Sequence, residues 1–331
     1  MSVKATGFVL FEFDNNEEVL ITFIYPSADK DLKTVIIDTA NFLVNSNQTA
    51  VYASFGSKYL YFQIKRNANR ASDIRLFGIC LIADNLYPAF YAEFAQVLIE
   101  SFHDHGNAPR VLRQYLSCLT DGQLDYNGVQ FSIDNFDEDV FQKLNYTPLI
   151  ERISVNNLPM IWQALVTGKS VGVYSSDLSV LQQCALPILS FCCPGTRPLF
   201  PFVLESSSTM TDAADNTKNS IWCSIDSSVL SNRFDLTINL TAKTVNPSPA
   251  FQKELTSDML ERLAESISEA VSATTSVYEA IVEFNNQIVT PLQKVQEKLG
   301  DLSPASISSL KLPNETKSLL TGIAQAEIIP V

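Results

Sequence analysis

The sequence is poor in basic side chains, in histidine and in long apolar runs. Its 331 residues hold 23 Lys and Arg against 36 Asp and Glu, a formal net charge of −13, and only 2 His. Nucleic acids and anionic lipid surfaces are bound through clustered Lys and Arg. We therefore expect no nucleic acid partner. We also expect no direct membrane insertion, because no uncharged run approaches the roughly 18 residues that a span needs.

The six cysteines have no CxxC spacing, and most lie inside apolar runs. They are typical of buried thiols in a reducing compartment, and the N-terminus shows no secretory pattern, so we expect a cytoplasmic protein. His103 and His105 stand at a predicted helix end without a third group that could orient a catalytic base. We therefore expect no catalytic residue, no metal site and no cofactor.

The first 122 residues alternate strand and helix patterns. The predicted strands are 5–13, 17–25, 50–55, 58–64 and 74–83, and the predicted helices are about 32–43, 88–104 and 108–119. Strand 74–83 is almost continuously apolar, so it should lie in the centre of the sheet. Residues 1–122 are thus predicted to form a lobe with a five-stranded antiparallel sheet covered by helices, which resembles a longin domain.

A polar stretch, 123–147, is interpreted as a linker to a second lobe at 148–246. The predicted order there is an extended run at 148–155, a helix at 158–167, a strand at 170–174, a helix at 177–190 and strands at 199–204, 219–225 and 234–240. Strand, helix and strand in this order predict a parallel βαβ unit. Ser175 or Ser176 is expected to cap the helix, with Asp177 in its first turn.

Residues 247–331 are predicted to form a helical tail. A long helix should begin near Pro249, and Pro291 should kink or end it. The overall fold class is therefore α/β: a longin-like N-terminal lobe, an α/β C-terminal lobe with a parallel βαβ unit, and the helical tail.

Five stretches together resemble the DENN-domain family. They are GFVLFEFDNNEEVLITFIYPS from Gly7, FGICLIADNLYPAFYAEFAQVLIESFHDHGNAPRVLRQYLSCLTDG from Phe77, SVGVYSSDLSVLQQCALPIL from Ser170, SNRFDLTINLTAKTVNP from Ser231, and LPNETKSLLTGIAQAE near the end. No single stretch is a sharp motif, and their order and spacing carry the resemblance. The segment GKSVGVY, which leads into the strand at 170–174, has fewer basic residues than is typical of the family at this point. The polar loop 206–218 has no family counterpart.

The resemblance implies a two-lobed module that regulates endosomal membrane trafficking. Relatives act as guanine-nucleotide exchange factors for Rab GTPases, and one branch is associated with late endosomes and with the coiled-coil subunits of the Commander assembly. The expected partners are therefore a Rab GTPase and coiled-coil subunits of an endosomal assembly. The expected location is cytoplasmic and peripheral on late endosomes through these partners. A non-catalytic adaptor or scaffold with the same fold remains the alternative.

Candidate partner-binding residues fall into three groups, each with a local structural explanation beside the functional one. The turn at Ser176 and Asp177 can simply cap a helix. The loop Asn232, Arg233 and Phe234 contains the residue types enriched at interface anchors. An acidic stripe at helical spacing is a docking face or a solvated face; it consists of Glu254, Asp258, Glu261, Glu265 and Glu269.

Overall fold

The computed structural model of the chain describes residues 4–16, 18–46, 48–67, 73–136, 140–141, 143–192, 202–203, 220–230, 233–299, 303–310 and 314–325. The chain folds as two compact units, Met1–Val140 and Phe141–Val331. The fold class is α/β as predicted, with one antiparallel five-stranded sheet and one mixed sheet.

The first unit is built around the antiparallel sheet. Its elements are β1 (Ala5–Asp14), β2 (Val19–Tyr25), α1 (Lys30–Ser46), β3 (Ala50–Phe55), β4 (Lys58–Arg66), β5 (Ile74–Ala83), α2 (Pro88–His105), α3 (Ala108–Asp121), β6 (Gln123–Tyr126) and β7 (Val129–Ser132). The strand order is β2-β1-β5-β4-β3, so β5 is central, as its apolar sequence predicts. All neighbouring strands pair antiparallel.

Helices cover both faces of the central strands, which explains their continuous apolar sequence. Every residue of β5 from Gly78 to Ala83 is buried. On one face the ring of Phe77 meets that of Phe102 in α2 edge to face, at 5.5 Å between centroids. Helix α1 packs against β2 and β3. A Cβ at position 78 would overlap the ring of Phe11 on the neighbouring strand, so this position requires glycine.

The segment predicted as a linker, 123–147, contains ordered structure of the first unit. Strands β6 and β7 form a hairpin, and the ring of Phe131 lies 5.2 Å from Phe90 and 5.4 Å from Phe94, both in α2. The apolar residues of this segment are isolated among polar ones, so no periodicity marks the hairpin. Burial of the Phe131 ring places the hairpin on the first unit, and the division between units falls after Val140.

The second unit contains the mixed sheet. Its elements up to residue 247 are α4 (Thr147–Ile153), α5 (Leu158–Val166), β8 (Val171–Tyr174), α6 (Leu178–Leu189), β9 (Phe202–Val203), β10 (Ile221–Ser224), β11 (Leu236–Asn239) and β12 (Thr244–Pro247). The order is β12-β11-β8-β10-β9. Strands β8 to β11 are parallel and β12 is antiparallel to β11, which confirms the predicted βαβ unit.

Two local predictions for this unit are wrong. Residues 147–153 form α4 rather than an extended run, because Pro148 suits a first helical turn and Leu149 and Ile153 are buried four residues apart on one face. Asp177 is itself the N-cap of α6, since its Oδ1 accepts hydrogen bonds from the backbone N–H of Ser179 at 2.8 Å and Val180 at 3.4 Å.

The predicted long helix of the tail is divided. The remaining helices are α7 (Pro249–Gln252), α8 (Ser257–Ser272), α9 (Val277–Leu299), α10 (Pro304–Ser308) and α11 (Asn314–Gln325). Thr274, in the connection between α8 and α9, has φ of 54°, a left-handed conformation that no helix interior contains. Pro291 does not end its helix, because α9 continues to Leu299. None of the described helices combines the length and apolar character that crossing a bilayer demands.

The tail is part of the second unit, held on α5 by two adjacent polar side chains. Trp162 Nε1 donates to Asn285 Oδ1 of α9 at 2.6 Å. Gln163 Nε2 donates to the carbonyl of Glu254 at 2.7 Å, and its Oε1 accepts from both the N–H and the hydroxyl of Thr256, at 3.1 and 2.9 Å. Since Trp162, Gln163 and Asn285 are each about 1% exposed, these bonds lie in the interior of the unit.

Candidate functional site

The turn between β8 and α6 carries Ser176 and Asp177 at the carboxyl end of the parallel strands. Both side chains are exposed. The backbone N–H of Ser176 donates to Thr241 Oγ1 at 2.9 Å, which joins this turn to the one that follows β11. The capping bonds of Asp177 and this bond of Ser176 give both residues a structural role while their surfaces stay accessible.

The candidate partner-binding residues of the loop before β11 differ in their exposure. Asn232 lies outside the described residues. Arg233 is exposed, but Phe234 is only 6% exposed and packs on Trp222, with 6.5 Å between ring centroids. The neighbouring Asp235 accepts hydrogen bonds from the N–H and the hydroxyl of Ser170, both at 3.0 Å. Phe234 therefore belongs to the core, and only Arg233 of the two described candidates offers a surface.

The structure does not bring these two candidate groups together. Ser176 and Asp177 follow the carboxyl end of β8, whereas Arg233 precedes the amino end of the parallel strand β11. Strands of four residues at about 3.3 Å each put roughly 13 Å between the two edges of the sheet. A single partner side chain cannot reach both, so they are separate candidates.

Four of the five residues of the predicted acidic stripe lie on one side of α8. Asp258, Glu261, Glu265 and Glu269 are all exposed on α8, whose opposite side buries Leu263, Ile267 and Ala270; these four carboxylates are called the α8 acidic face below. At 1.5 Å per residue they extend over about 16 Å.

Glu254 does not belong to this face. It precedes α8, and its carboxylate pairs with Lys169 Nζ at 2.8 Å.

The α8 acidic face has little compensation nearby. Among the described residues, none of its four carboxylates forms an ion pair with a Lys, Arg or His. Arg262, on the same helix, stands over the Phe284 ring of α9 at 5.9 Å. Glu279 and Glu283 add two exposed carboxylates on α9. The surface therefore carries a negative potential that would attract a basic partner.

Both histidines contact neighbouring groups at the C-terminal end of α2. His103 Nδ1 lies 3.0 Å from Asp104 Oδ1, and His105 Nδ1 lies 3.2 Å from the carbonyl of Ser101. The hydroxyl of Tyr126 donates to Asp104 Oδ2 at 2.7 Å and, with His103, lowers the pKa of that carboxyl. This cluster ties the β6–β7 hairpin to the end of α2. Within the described ranges, no three metal-binding side chains converge.

Comparison with known proteins finds relatives among the DENN-domain proteins that the sequence resembles. No family model matches the chain. Its curated relatives include DENN domain-containing protein 10 of Dictyostelium discoideum, 24% identical over 96% of this chain and 96% of that protein. The proteins of the same name from Danio rerio and Homo sapiens are 25% and 22% identical, over 96% and 97% of this chain and 95% of each relative. The resemblance to DENN-domain proteins is therefore confirmed along both units.

Proposed function

We propose that this chain, which resembles DENN domain-containing protein 10 over almost all of its length, regulates endosomal membrane trafficking as a guanine-nucleotide exchange factor for a Rab GTPase. The observation that carries the proposal is the coverage of the similarity, which extends over about 96% of the chain and so includes both units. The presence of an antiparallel sheet unit followed by a parallel βαβ unit, in that order, agrees with the two-lobed module that the family resemblance implies.

Exchange of this kind requires an interface rather than a reactive group. The factor accelerates release only if it binds the nucleotide-free GTPase more tightly than the loaded one. By linkage, bound nucleotide weakens the factor by the same ratio, and each tenfold of that ratio corresponds to about 1.4 kcal/mol. The exposed Ser176, Asp177 and Arg233 are the side chains we propose for such contacts in the second unit.

A nucleotide-release assay tests the proposal directly. The full chain is added to a panel of purified Rab proteins loaded with a fluorescent GDP analogue, and release is followed after addition of excess GTP. We expect one Rab, or a small related group, to release nucleotide about tenfold faster or more. Intrinsic release rates for every Rab in the panel would refute exchange activity.

Intrinsic release rates throughout the panel would favour the second candidate function, a non-catalytic adaptor that serves as a subunit of a Commander-like complex. The α8 acidic face is the observation that favours it, because a row of carboxylates to which the described residues offer no ion pair suits a basic segment of a coiled-coil subunit. The two functions are compatible with one fold, so each needs its own assay.

Charge reversal on α8 tests the adaptor surface. Glu261→Lys with Glu265→Lys should abolish capture of recombinant Commander coiled-coil subunits, because two attractive charges become repulsive at the centre of the face. Asp38→Lys with Glu93→Lys, on α1 and α2 of the first unit, is the matched control, with the same charge change at two exposed helical positions. Unchanged capture by the α8 variant, or equal loss by both variants, would exclude a specific docking face.

Location on late endosomes is proposed to depend on these partners. A net charge of −13 opposes binding to an anionic leaflet. We expect the purified chain to stay in the supernatant with anionic liposomes and to sediment only when its partners are added. Salt-sensitive binding of the chain alone would contradict this.

A further inference from the structure

The β1–β2 hairpin carries acidic side chains and no basic ones. Residues 5–29 contain no Lys, Arg or His and five acidic residues, which are Glu12, Asp14, Glu17, Glu18 and Asp29. The potential of this edge of the first unit is therefore negative, and it opposes the approach of another acidic surface.

Three side chains form a row on one face of the sheet beside this hairpin. Glu12 of β1 pairs directly with Leu20 of β2 on one side and with Phe77 of β5 on the other. Residues opposite each other on antiparallel strands point to the same face. Phe77 is covered by α2, where its ring meets Phe102 and His103, each at 5.5 Å between centroids.

The outer end of this row is not covered. Leu20 is 45% exposed, the largest exposure among the large apolar residues that the structure describes as exposed. Helix α3 contacts the same face further along the strands, where the ring of Tyr115 meets those of Phe8 and Tyr25 at 5.0 and 5.9 Å between centroids. We call the pair of Glu12 and Leu20 the hairpin corner.

Glu12 lacks a counter-charge at this corner. No ion pair or side-chain hydrogen bond to it is found among the described residues, and burial is the single cause that raises its pKa. The two basic side chains beside Phe77 are already engaged. Lys65, opposite Phe77, pairs with Glu100 of α2, and His103 lies against Asp104. A half-buried carboxylate without a partner costs free energy that an incoming cation would recover.

We propose that the hairpin corner docks a segment of another protein in which a Lys or Arg stands beside an apolar side chain. The cation pairs with Glu12, and the apolar side chain covers Leu20. A second copy of this chain is the poorer occupant, because the acidic hairpin would meet its own charges. Glu12 and Leu20 belong to the first unit, whereas the side chains of the proposed function belong to the second, and this proposal does not depend on exchange activity.

Binding of a defined peptide tests the docking chemistry. The probe is a short fluorescent peptide of alternating Leu and Lys, compared with its Leu and Glu counterpart, at about 0.15 M salt, where diffuse attraction is largely screened. Glu12→Gln and Leu20→Ser should each weaken binding of the Leu-Lys peptide about tenfold or more, as expected for a close charge pair and a buried leucine.

Two matched variants separate the corner from general acidity. Glu283→Gln removes an exposed carboxylate from α9, and Val271→Ser removes an apolar residue that is 40% exposed on α8. Both should leave peptide affinity unchanged. Equal loss in all four variants, or no loss in the corner variants, would overturn the proposal.

Sedimentation of the purified chain provides the remaining outcome. We expect a monomer whose mass does not change with Leu20→Ser. A wild-type dimer that this substitution converts into a monomer would show that a second copy occupies the corner, and the proposal would fall. Thermal unfolding of each variant checks that the fold is retained, which is expected because both side chains lie partly or largely at the surface.

Discussion

Replacing Gln163 by methionine should weaken the attachment of the tail helices to α5 without leaving a large cavity. Methionine keeps nearly the same volume but accepts and donates no hydrogen bond. The substitution leaves the N–H of Thr256, a residue only 2% exposed, and its hydroxyl without their acceptor. The carbonyl of Glu254 also loses its donor, but Glu254 lies at the surface, where water replaces it.

The magnitude follows from these orphaned groups. A buried polar group left without a partner costs about 1–3 kcal/mol. One buried N–H and one hydroxyl that can partly reorient therefore lower the free energy of unfolding by about 2–4 kcal/mol. That is a large share of the roughly 5–15 kcal/mol that stabilises a typical domain.

Tryptophan fluorescence, followed during urea denaturation, measures this loss of stability in the second unit of the protein. Both tryptophans of the chain, Trp162 and Trp222, lie in the second unit, so the signal does not report the first. Gln183→Met is the matched control, since Gln183 is exposed on α6, and it should change stability by less than about 0.5 kcal/mol.

The result that refutes the reasoning is equally specific. A loss for Gln163→Met no larger than that of the control would show that these bonds do not hold the tail. Combining it with Thr256→Val should cost less than the sum of the two single substitutions, because both remove the same contact.

Four further predictions concern single positions. Gly78→Ala should lower stability by about 1–3 kcal/mol through overlap with the Phe11 ring, measured by urea denaturation. Ser154→Gly should raise stability by about 1 kcal/mol in the same assay, because φ 64° and ψ 149° suit glycine alone. Burial raises the pKa of the Cys118 thiol to about 12, so mass spectrometry should find it unalkylated at pH 8 unless urea is added. Burial raises the pKa of Glu12 above its ordinary 4.5, so the folded state binds a proton there more tightly than the unfolded state. The urea midpoint of the wild-type chain should therefore fall relative to that of Glu12→Gln as pH rises above 4.5.

The candidate site shows which residues a pattern can identify. The carboxylates of α8 were predictable because helical spacing alone puts positions 258, 261, 265 and 269 on one side. Glu254 was not excluded by that spacing, since nothing in the pattern shows that the helix begins at Ser257. Phe234 was a reasonable anchor by residue type, but its contact with Trp222 depends on how the sheet places β10 and β11, which lie on either side of β8.

The sequence by itself determined the element order of the first unit up to α3, the central place of β5 and the parallel unit around α6, because hydrophobic periodicity and crossover handedness are local or nearly local properties. Only the tertiary structure decided that the β6–β7 hairpin belongs to the first unit, that the tail is fastened to α5 through Gln163, and that none of the described residues supplies a counter-charge to Glu12. Each of these depends on pairings between residues far apart in the chain, whose partners no single stretch of sequence specifies.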